Sequence, residues 1–137
     1  MEEEIAETLA RRALEAREKA HAPYSNYRVG AALLARSGRI YTGCNVENAS
    51  YGLTVCAERV AIFKAVSEGE KDFTAIAVAT SNGAPPCGAC LQVMAEFVED
   101  FSSFQVILVN AEGQWRTLTL RELYPHGFTS RFLWEEK

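Results

Sequence analysis

The sequence lacks a membrane-spanning run, a signal-peptide core and an excess of positive charge, and each absence excludes a class of protein. The apolar stretches at 75–79 and 106–109 have only the length of strands. The N-terminal segment has no apolar core, so we expect a cytoplasmic protein with no membrane partner. The 14 Lys and Arg residues against 18 Asp and Glu residues give a net charge of −4. Such a surface matches a phosphate backbone poorly, so no nucleic-acid partner is expected.

The sequence also contains no internal repeat, no low-complexity segment and no linker between domains. Its 137 residues, 48% of them hydrophobic, suit one domain with a sizeable core, which we expect to span residues 1–137. The cysteines number only four. Because a reducing cytoplasm keeps thiols free, they are better suited to binding a metal than to forming disulfides.

The first half of the chain predicts a helix and a hairpin. Apolar residues recur every three to four positions over 3–20, which predicts a helix. Residues 28–35 and 39–46 have the composition of strands, and Ser37-Gly38 between them is a turn signal. The two strands should therefore form a hairpin.

The second half predicts alternating helices and strands. A helix is expected over 54–68, with Thr54 as its N-cap and Gly69 as its C-terminal stop. The remaining predicted elements are a strand at 73–80, a helix at 88–99, strands at 104–110 and 114–118, and a short helix after a capping box at 119–122. This order predicts an α/β fold with a mixed sheet and helices on its faces.

Three cysteines have the spacing of zinc ligands. Cys87 and Cys90 form a C-x-x-C pair, and Cys56 lies upstream at another predicted helix start. Helix N-termini lower the pKa of a thiol, and zinc binds thiolates. Three thiolates leave the fourth tetrahedral position open, as in catalytic sites, whereas a closed structural site would need Cys44 as well. Alternatively, the cysteines are small buried hydrophobic side chains.

Two charged residues follow Cys56 within one helical turn. A carboxylate at Glu58, beside a metal, can take a proton from water and return it to a leaving group. Equally, an acidic side chain in a first turn can simply stabilise the helix dipole. Three thiolates and Zn²⁺ sum to −1, and Arg59 could offset that charge by donating hydrogen bonds to the sulfurs, or it could be a solvated charge.

Taken together, these motifs resemble those of a known enzyme family. Cys56-Ala57-Glu58 followed by Pro86-Cys87-Gly88-Ala89-Cys90 is similar to the zinc-deaminase signature. Nearly the full chain resembles the small, homotetrameric cytidine deaminases. The other matching blocks are Ala22-Pro23-Tyr24-Ser25-Asn26-Tyr27, Val29-Gly30-Ala31-Ala32-Leu33-Leu34, Gly43-Cys44-Asn45-Val46-Glu47-Asn48-Ala49-Ser50-Tyr51, Glu122-Leu123-Tyr124-Pro125 and Gly127-Phe128.

The resemblance implies a fold and an activity. The fold would be a three-layer α-β-α sandwich around a five-stranded mixed sheet. The activity would be zinc-dependent hydrolytic deamination of cytidine and 2′-deoxycytidine in pyrimidine salvage, by a homotetramer with one zinc ion per subunit and active sites completed by neighbouring subunits. The implied roles are zinc ligation by Cys56, Cys87 and Cys90, proton transfer by Glu58, and hydrogen bonding of the thiolates by Arg59.

The resemblance also implies a set of substrate contacts. These are Asn45 and Glu47 on the ribose hydroxyls, Tyr27 on the pyrimidine ring, main-chain groups near Ala57 on the polar edge of the base, and Phe128 and Tyr51 from a neighbouring subunit. Each has a structural alternative: Asn45 and Glu47 as turn residues, Tyr27 as a partly exposed core aromatic, and Phe128 as a local anchor of the tail.

Two residues depart from the usual pattern of the family. Tyr27 stands where Phe is usual, which places a hydroxyl near water or the sugar. Leu91 stands where Arg is usual, so a cation near the zinc helix or a subunit contact is missing. His21 and His126 match no ligand position.

Two other functions stay open from the sequence. The chain could deaminate another small base or nucleoside, including a modified pyrimidine nucleoside or an aminated antibiotic. It could also be a non-catalytic zinc module, which would need a fourth sulfur ligand such as Cys44.

Overall fold

The computed structural model describes residues 1–135, and its elements follow the predicted order. Residues 136 and 137, the last two of the predicted domain, lie outside the described part. The elements are α1 (Glu3–Arg17), β1 (Gly30–Ala35), β2 (Ile40–Cys44), a 3₁₀ turn (Tyr51–Leu53), α2 (Ala57–Ser67), β3 (Phe73–Ala79), α3 (Gly88–Phe97), β4 (Gln105–Val109), β5 (Trp115–Thr119), α4 (Leu120–Leu123) and α5 (Ser130–Glu135).

The five strands form one mixed sheet in the order β2-β1-β3-β4-β5. The predicted hairpin of β1 and β2 is confirmed, with Gly30 opposite Cys44 and Leu34 opposite Ile40. Strands β3 and β4 are parallel, as the crossover through α3 requires, and the other pairs are antiparallel. The predicted capping box is also present, since Thr119 and Glu122 bond reciprocally at the start of α4.

Helices cover both faces of the sheet, which makes the predicted three-layer α-β-α sandwich. The α1 face buries small and aliphatic side chains such as Leu9, Ala13, Ala77 and Ile107. The other face packs α2, α3 and α4 against residues that include Ile76. Packing is so close on this side that a Cβ on Gly43 of β2 would lie 2.6 Å from the Ala57 carbonyl oxygen of α2.

One edge of the sheet collects the ends of four strands. The pairing brings together the start of β1 at Gly30 and the carboxyl ends of β2, β3 and β4 at Cys44, Ala79 and Val109. The segments that carry Asn45, Cys56 and Cys87 leave the sheet at this edge. The Ser37-Gly38 turn lies at the opposite edge and is exposed.

The predicted start of the second helix is wrong. The helix begins at Ala57 and its N-cap is Cys56, with an extended backbone at φ −71° and ψ 154°. Thr54 cannot cap it because Val55 is extended, exchanging two backbone hydrogen bonds with Val46. Gly69 does follow the helix with a positive φ of 96°, as its predicted role as a stop requires.

The first helix is shorter than the predicted 3–20. It ends at Arg17, and tighter turns follow, in which the Lys19 and Ala20 N–H groups donate to carbonyls three residues earlier. Across residues 1–135, every helix is too short or too polar to cross a membrane.

Candidate metal centre

Three cysteine side chains from two helices converge at the edge of the sheet where the four strand ends meet. Cys56 caps α2, Cys87 caps α3, and Cys90 lies in the first turn of α3. Their sulfur atoms all lie within 4.8 Å of one another. The Sγ atom of Cys87 is 3.9 Å from that of Cys56 and 3.6 Å from that of Cys90. The sequence prediction that these three thiols share one site therefore agrees with the structure.

The sulfur geometry fits a zinc ion. Tetrahedral zinc with Zn–S bonds of about 2.3 Å places its sulfurs about 3.8 Å apart. The two measured separations bracket that value, and thiolates are the donors that zinc prefers. The three cysteines can thus hold a zinc ion and leave one coordination position for another group.

The fourth cysteine does not join this cluster. Cys44, at the end of β2, donates a weak hydrogen bond from its thiol to the Lys19 carbonyl oxygen at 3.5 Å. Within residues 1–135, the only His, Cys, Asp or Glu side chains grouped closely enough to hold a metal ion are Cys56, Cys87 and Cys90. The structure therefore lacks the fourth sulfur that a closed structural site built on Cys44 would need.

Arg59 stabilises negative charge on the sulfurs. Its Nη2 donates to the Cys56 Sγ at 3.2 Å. Hydrogen bonds from Cys90 and Arg59 lower the pKa of Cys56 well below its ordinary value. The Arg59 Nε is buried with no partner among the described protein atoms, so it retains a donor for the site.

Glu58 is a buried carboxyl next to the sulfur cluster. Its side chain sits in the first turn of α2, only 4% of the residue is exposed, and burial raises its pKa to about 7. Such a group can accept a proton and release it again.

Asn45 and Glu47 fix the backbone of the loops around the site. The buried Asn45 side chain accepts from the Val29 N–H at 2.9 Å and donates to the Tyr27 carbonyl oxygen at 2.8 Å. Glu47 accepts from the N–H groups of Tyr24 and Ser25 and from the Ser25 hydroxyl. Both side chains therefore hold the backbone of neighbouring segments, and each keeps further hydrogen-bonding capacity for another partner.

Tyr27 lies at the same edge, and its hydroxyl has a protein partner. The hydroxyl donates to the Asn82 Oδ1 at 2.9 Å. Asn82 belongs to the loop between β3 and α3, which ends at Cys87. No sequence motif singles out Asn82. The available signal is its position, three residues after β3 at the edge where the other site residues gather.

The remaining predicted substrate residues differ in exposure. Ala57 is fully buried as the first residue of α2, where a helix leaves its N–H groups without an intrahelical acceptor. Tyr51 is 75% exposed and packs edge-to-face on Tyr24. Phe128 is exposed and stacks on Phe132 in the tail. The exposure of Tyr51 and Phe128 leaves both rings available to another molecule.

Gln92 connects α3, the helix that carries Cys90, to the C-terminal segment that contains Tyr124 and Phe128. Its Nε2 donates to the Phe128 carbonyl oxygen at 2.9 Å, and its Oε1 accepts from the Tyr124 hydroxyl at 2.6 Å. The neighbouring Leu91 is 8% exposed and belongs to the hydrophobic core beneath α2 and α3. An apolar residue therefore fits its position without any charge partner.

Comparisons with known proteins agree with this site. Residues 3–104 match the family model of the cytidine and deoxycytidylate deaminase zinc-binding region. A cytidine deaminase from Halalkalibacterium halodurans is 52% identical over 124 residues, covering 89% of this chain and 92% of that one. Another, from Sporosarcina psychrophila, is 48% identical and covers 93% of both chains. The crystal structure of a cytidine deaminase from Burkholderia pseudomallei superposes with a TM-score of 0.83 at 45% identity, covering 93% of this chain and 100% of that one.

Proposed function

This chain belongs to the cytidine and deoxycytidylate deaminase family, and we propose on that premise that it deaminates cytidine and 2′-deoxycytidine. The products are uridine or 2′-deoxyuridine and ammonia, a reaction of pyrimidine salvage. The observation that carries the proposal is the juxtaposition of three mutually close thiols with one buried carboxyl. Metal ligands and a proton carrier are the parts that hydrolytic removal of an amine requires.

Cys56, Cys87 and Cys90 would hold the zinc ion. Bound zinc lowers the pKa of a water molecule and so makes a nucleophile available at neutral pH. The Arg59 guanidinium donates to the Cys56 sulfur and offsets the surplus negative charge of three thiolates.

Glu58 moves the protons. Its carboxylate accepts a proton from water and delivers it to N3 of the pyrimidine, which prepares C4 for addition. After water adds at C4, the same carboxylate takes the proton of the new hydroxyl group and passes it to the amine, which leaves as ammonia while the C4 carbonyl forms. One residue thus serves as base and acid in turn. Burial of Glu58 beside the thiols keeps solvent from competing for that proton.

The residues gathered at this edge of the sheet supply the substrate contacts. Asn45 and Glu47 bind the ribose hydroxyls. The Asn45 amide has an N–H and a lone pair that its backbone contacts do not use, and the Glu47 carboxylate has free lone pairs. Tyr27 packs on the pyrimidine ring, and main-chain groups at Ala57 read the polar edge of the base.

The active assembly is a homotetramer in which Phe128 and Tyr51 complete sites of neighbouring subunits. Support comes from exposed aromatic side chains in two separate segments, with Tyr51 75% and Phe128 51% exposed. Within each subunit, residues 1–137 form one domain. The free thiols and zinc thiolates suit the reducing cytoplasm, where we place the enzyme.

One assay tests the proposal. Purified protein is incubated separately with cytidine, 2′-deoxycytidine and cytosine, and ammonia release is measured together with zinc content. We expect ammonia from both nucleosides, little from cytosine, and one zinc ion per chain. Preference for cytosine would favour a deaminase of free bases, and bound zinc without ammonia release would favour a structural metal module.

A pair of cysteine variants separates the catalytic from the structural site. We expect Cys44→Ser to retain zinc and turnover, because its thiol lies outside the cluster. Cys87→Ser removes a cluster thiol and should lose both. Loss of zinc from Cys44→Ser would contradict an open three-cysteine site.

A further inference from the structure

The hydroxyl of Tyr27 joins two chain segments that meet at the site. Tyr27 precedes β1, while its acceptor Asn82 lies 55 residues later in the loop between β3 and α3. That loop delivers Cys87 to the sulfur cluster. A single side-chain hydrogen bond of 2.9 Å therefore ties the aromatic ring to the segment that leads to a metal ligand.

The Asn82 end of this hydrogen bond is held in place by its loop. Its Oδ1 also accepts from the Thr80 hydroxyl at 3.3 Å. Thr80 is only 3% exposed, and its Oγ1 accepts from the Ala84 N–H at 3.0 Å. A backbone bridge between Asn82 and Asn110 fixes the loop to the end of β4. The acceptor is therefore positioned before any substrate arrives.

The backbone of Tyr27 is held just as firmly. Its N–H donates to the Ser25 Oγ at 3.0 Å, and its carbonyl oxygen accepts from the Asn45 Nδ2 at 2.8 Å. Asn26, directly before it, has a positive φ of 57°, which turns the chain into this position. What these contacts leave free is rotation of the side chain, since 38% of Tyr27 is exposed. The hydroxyl contact with Asn82 removes that freedom.

We propose that Asn82 is a positioning residue that holds the Tyr27 ring in place for the pyrimidine through the Tyr27 hydroxyl. The inference rests on the proposed function, because it takes the ring to be a substrate contact. A ring that is already fixed loses less side-chain entropy on binding, so the contact lowers KM. Neither side chain has a part in the proposed proton transfers, so kcat stays nearly unchanged.

The test is a double-mutant cycle on cytidine deamination with zinc content measured in parallel. Tyr27→Phe keeps the ring and removes only the hydroxyl, and Asn82→Ala removes the acceptor. We expect each to raise KM by about three- to tenfold, with kcat within about twofold and zinc unchanged, as for loss of one hydrogen bond. The double variant should resemble either single variant, because both break the same contact.

Two further variants complete the design. Asn82→Asp keeps an acceptor for the hydroxyl and should restore most of the lost affinity. Tyr41→Phe is the matched control: it removes another tyrosine hydroxyl bond, to the Glu70 Oε2 at 3.0 Å, near the opposite edge of the sheet, and should leave KM unchanged.

Three results would overturn the inference. An unchanged KM in Tyr27→Phe would mean that the hydroxyl does not position the ring. A raised KM in Tyr27→Phe with an unchanged KM in Asn82→Ala would mean that the hydroxyl contacts the nucleoside directly. Wild-type protein that releases no ammonia from cytidine would overturn the proposed function itself and this inference with it, whereas the first two outcomes leave the proposed function intact.

Discussion

Glu58 combines deep burial with a position beside three thiols, and this pairing carries the proposed proton transfer. In Glu58→Ala and in the isosteric Glu58→Gln, we expect zinc to be retained and turnover to fall at least about a hundredfold, because positioned acid–base catalysis is worth 10²–10⁴-fold. Steady-state ammonia release and metal analysis on the same samples measure the two effects. Full activity in either variant would remove the proposed role of Glu58.

Glu47 makes the stability of the folded protein depend on pH. The hydrogen bond from Ser25 lowers the pKa of Glu47 below its ordinary value of 4.5, with further help from the N–H groups of Tyr24 and Ser25. A carboxyl with a lowered folded-state pKa stabilises the protein above its unfolded pKa. That stabilisation is lost as pH falls through the folded pKa.

The Ser25→Ala variant tests this sign. We expect its melting temperature to lie below that of the wild type at pH 7, and the difference to shrink as the pH falls below 4.5 and the Glu47 carboxylate of the wild type takes up a proton. Ser25→Thr, which keeps a hydroxyl, is the control. A difference that stays constant as the pH is lowered would contradict a role for the ionised carboxylate.

For single residues, the sequence predicted which side chains form the metal site, but it did not predict which hydrogen bonds hold the surrounding loops. Cys56, Cys87 and Cys90 could be grouped because zinc ligation restricts both residue type and spacing. The partners of Asn45 and Asn82 could not be predicted, because each side chain bonds to a segment distant in the chain. No local pattern encodes such a pairing.

Among the secondary-structure elements, close packing of β2 against α2 sets the position of α2, the helix that begins at the metal ligand Cys56. A methyl group at Gly43 would lie 2.6 Å from both the Ala57 carbonyl oxygen and the Ala61 nitrogen. Gly43→Ala should therefore push α2 outward, lower stability by about 1–3 kcal/mol, and reduce zinc content. Thermal unfolding and metal analysis measure these two effects.

Two other glycines serve as controls for that prediction. A methyl group at Gly52 would meet no atom within 4 Å, so Gly52→Ala should melt like the wild type. Gly30→Ala would clash with the Ala13 carbonyl oxygen of α1 on the opposite face, and should destabilise without lowering zinc per folded molecule. Normal stability and zinc in Gly43→Ala would show that α2 tolerates displacement.

Helices and strands could be predicted because the spacing of apolar residues indicates which face of each element is buried. The start of α2, which matters for the site, could not. Val55 pairs with Val46 across the loop, which keeps the backbone extended up to Cys56. That pairing moves Cys56 from inside the predicted helix to its N-cap. The Cys56 sulfur therefore lies at the N-terminal end of α2 and not on its side. The other two thiols, from the start of α3, meet it at that end.

At the scale of the whole molecule, the proposed tetramer makes a prediction by complementation. If Phe128 completes a neighbour's site, Glu58→Ala and Phe128→Ala damage different halves of each site. Co-expressed hetero-oligomers of the two should then contain some intact sites and exceed the summed activity of the separate variants several-fold. Ammonia release and light scattering on the purified mixture measure activity and assembly.

The control for complementation pairs two lesions within one subunit's part of the site. Glu58→Ala mixed with Cys87→Ser should give no gain, because no subunit then supplies both zinc and the carboxyl. Equal activity of the two mixtures, or full activity of Phe128→Ala alone, would contradict a shared site.

The hairpin turn at Ser37-Gly38 has a practical consequence. It is exposed, a methyl group at its glycine would meet no atom within 4 Å, and the strand register places it at the edge away from Asn45, Tyr27 and the sulfur cluster. Exposed turn tips tolerate inserted peptide. An affinity tag inserted there would attach each chain to a solid support through the sheet edge opposite its catalytic residues, so that the support does not contact those residues.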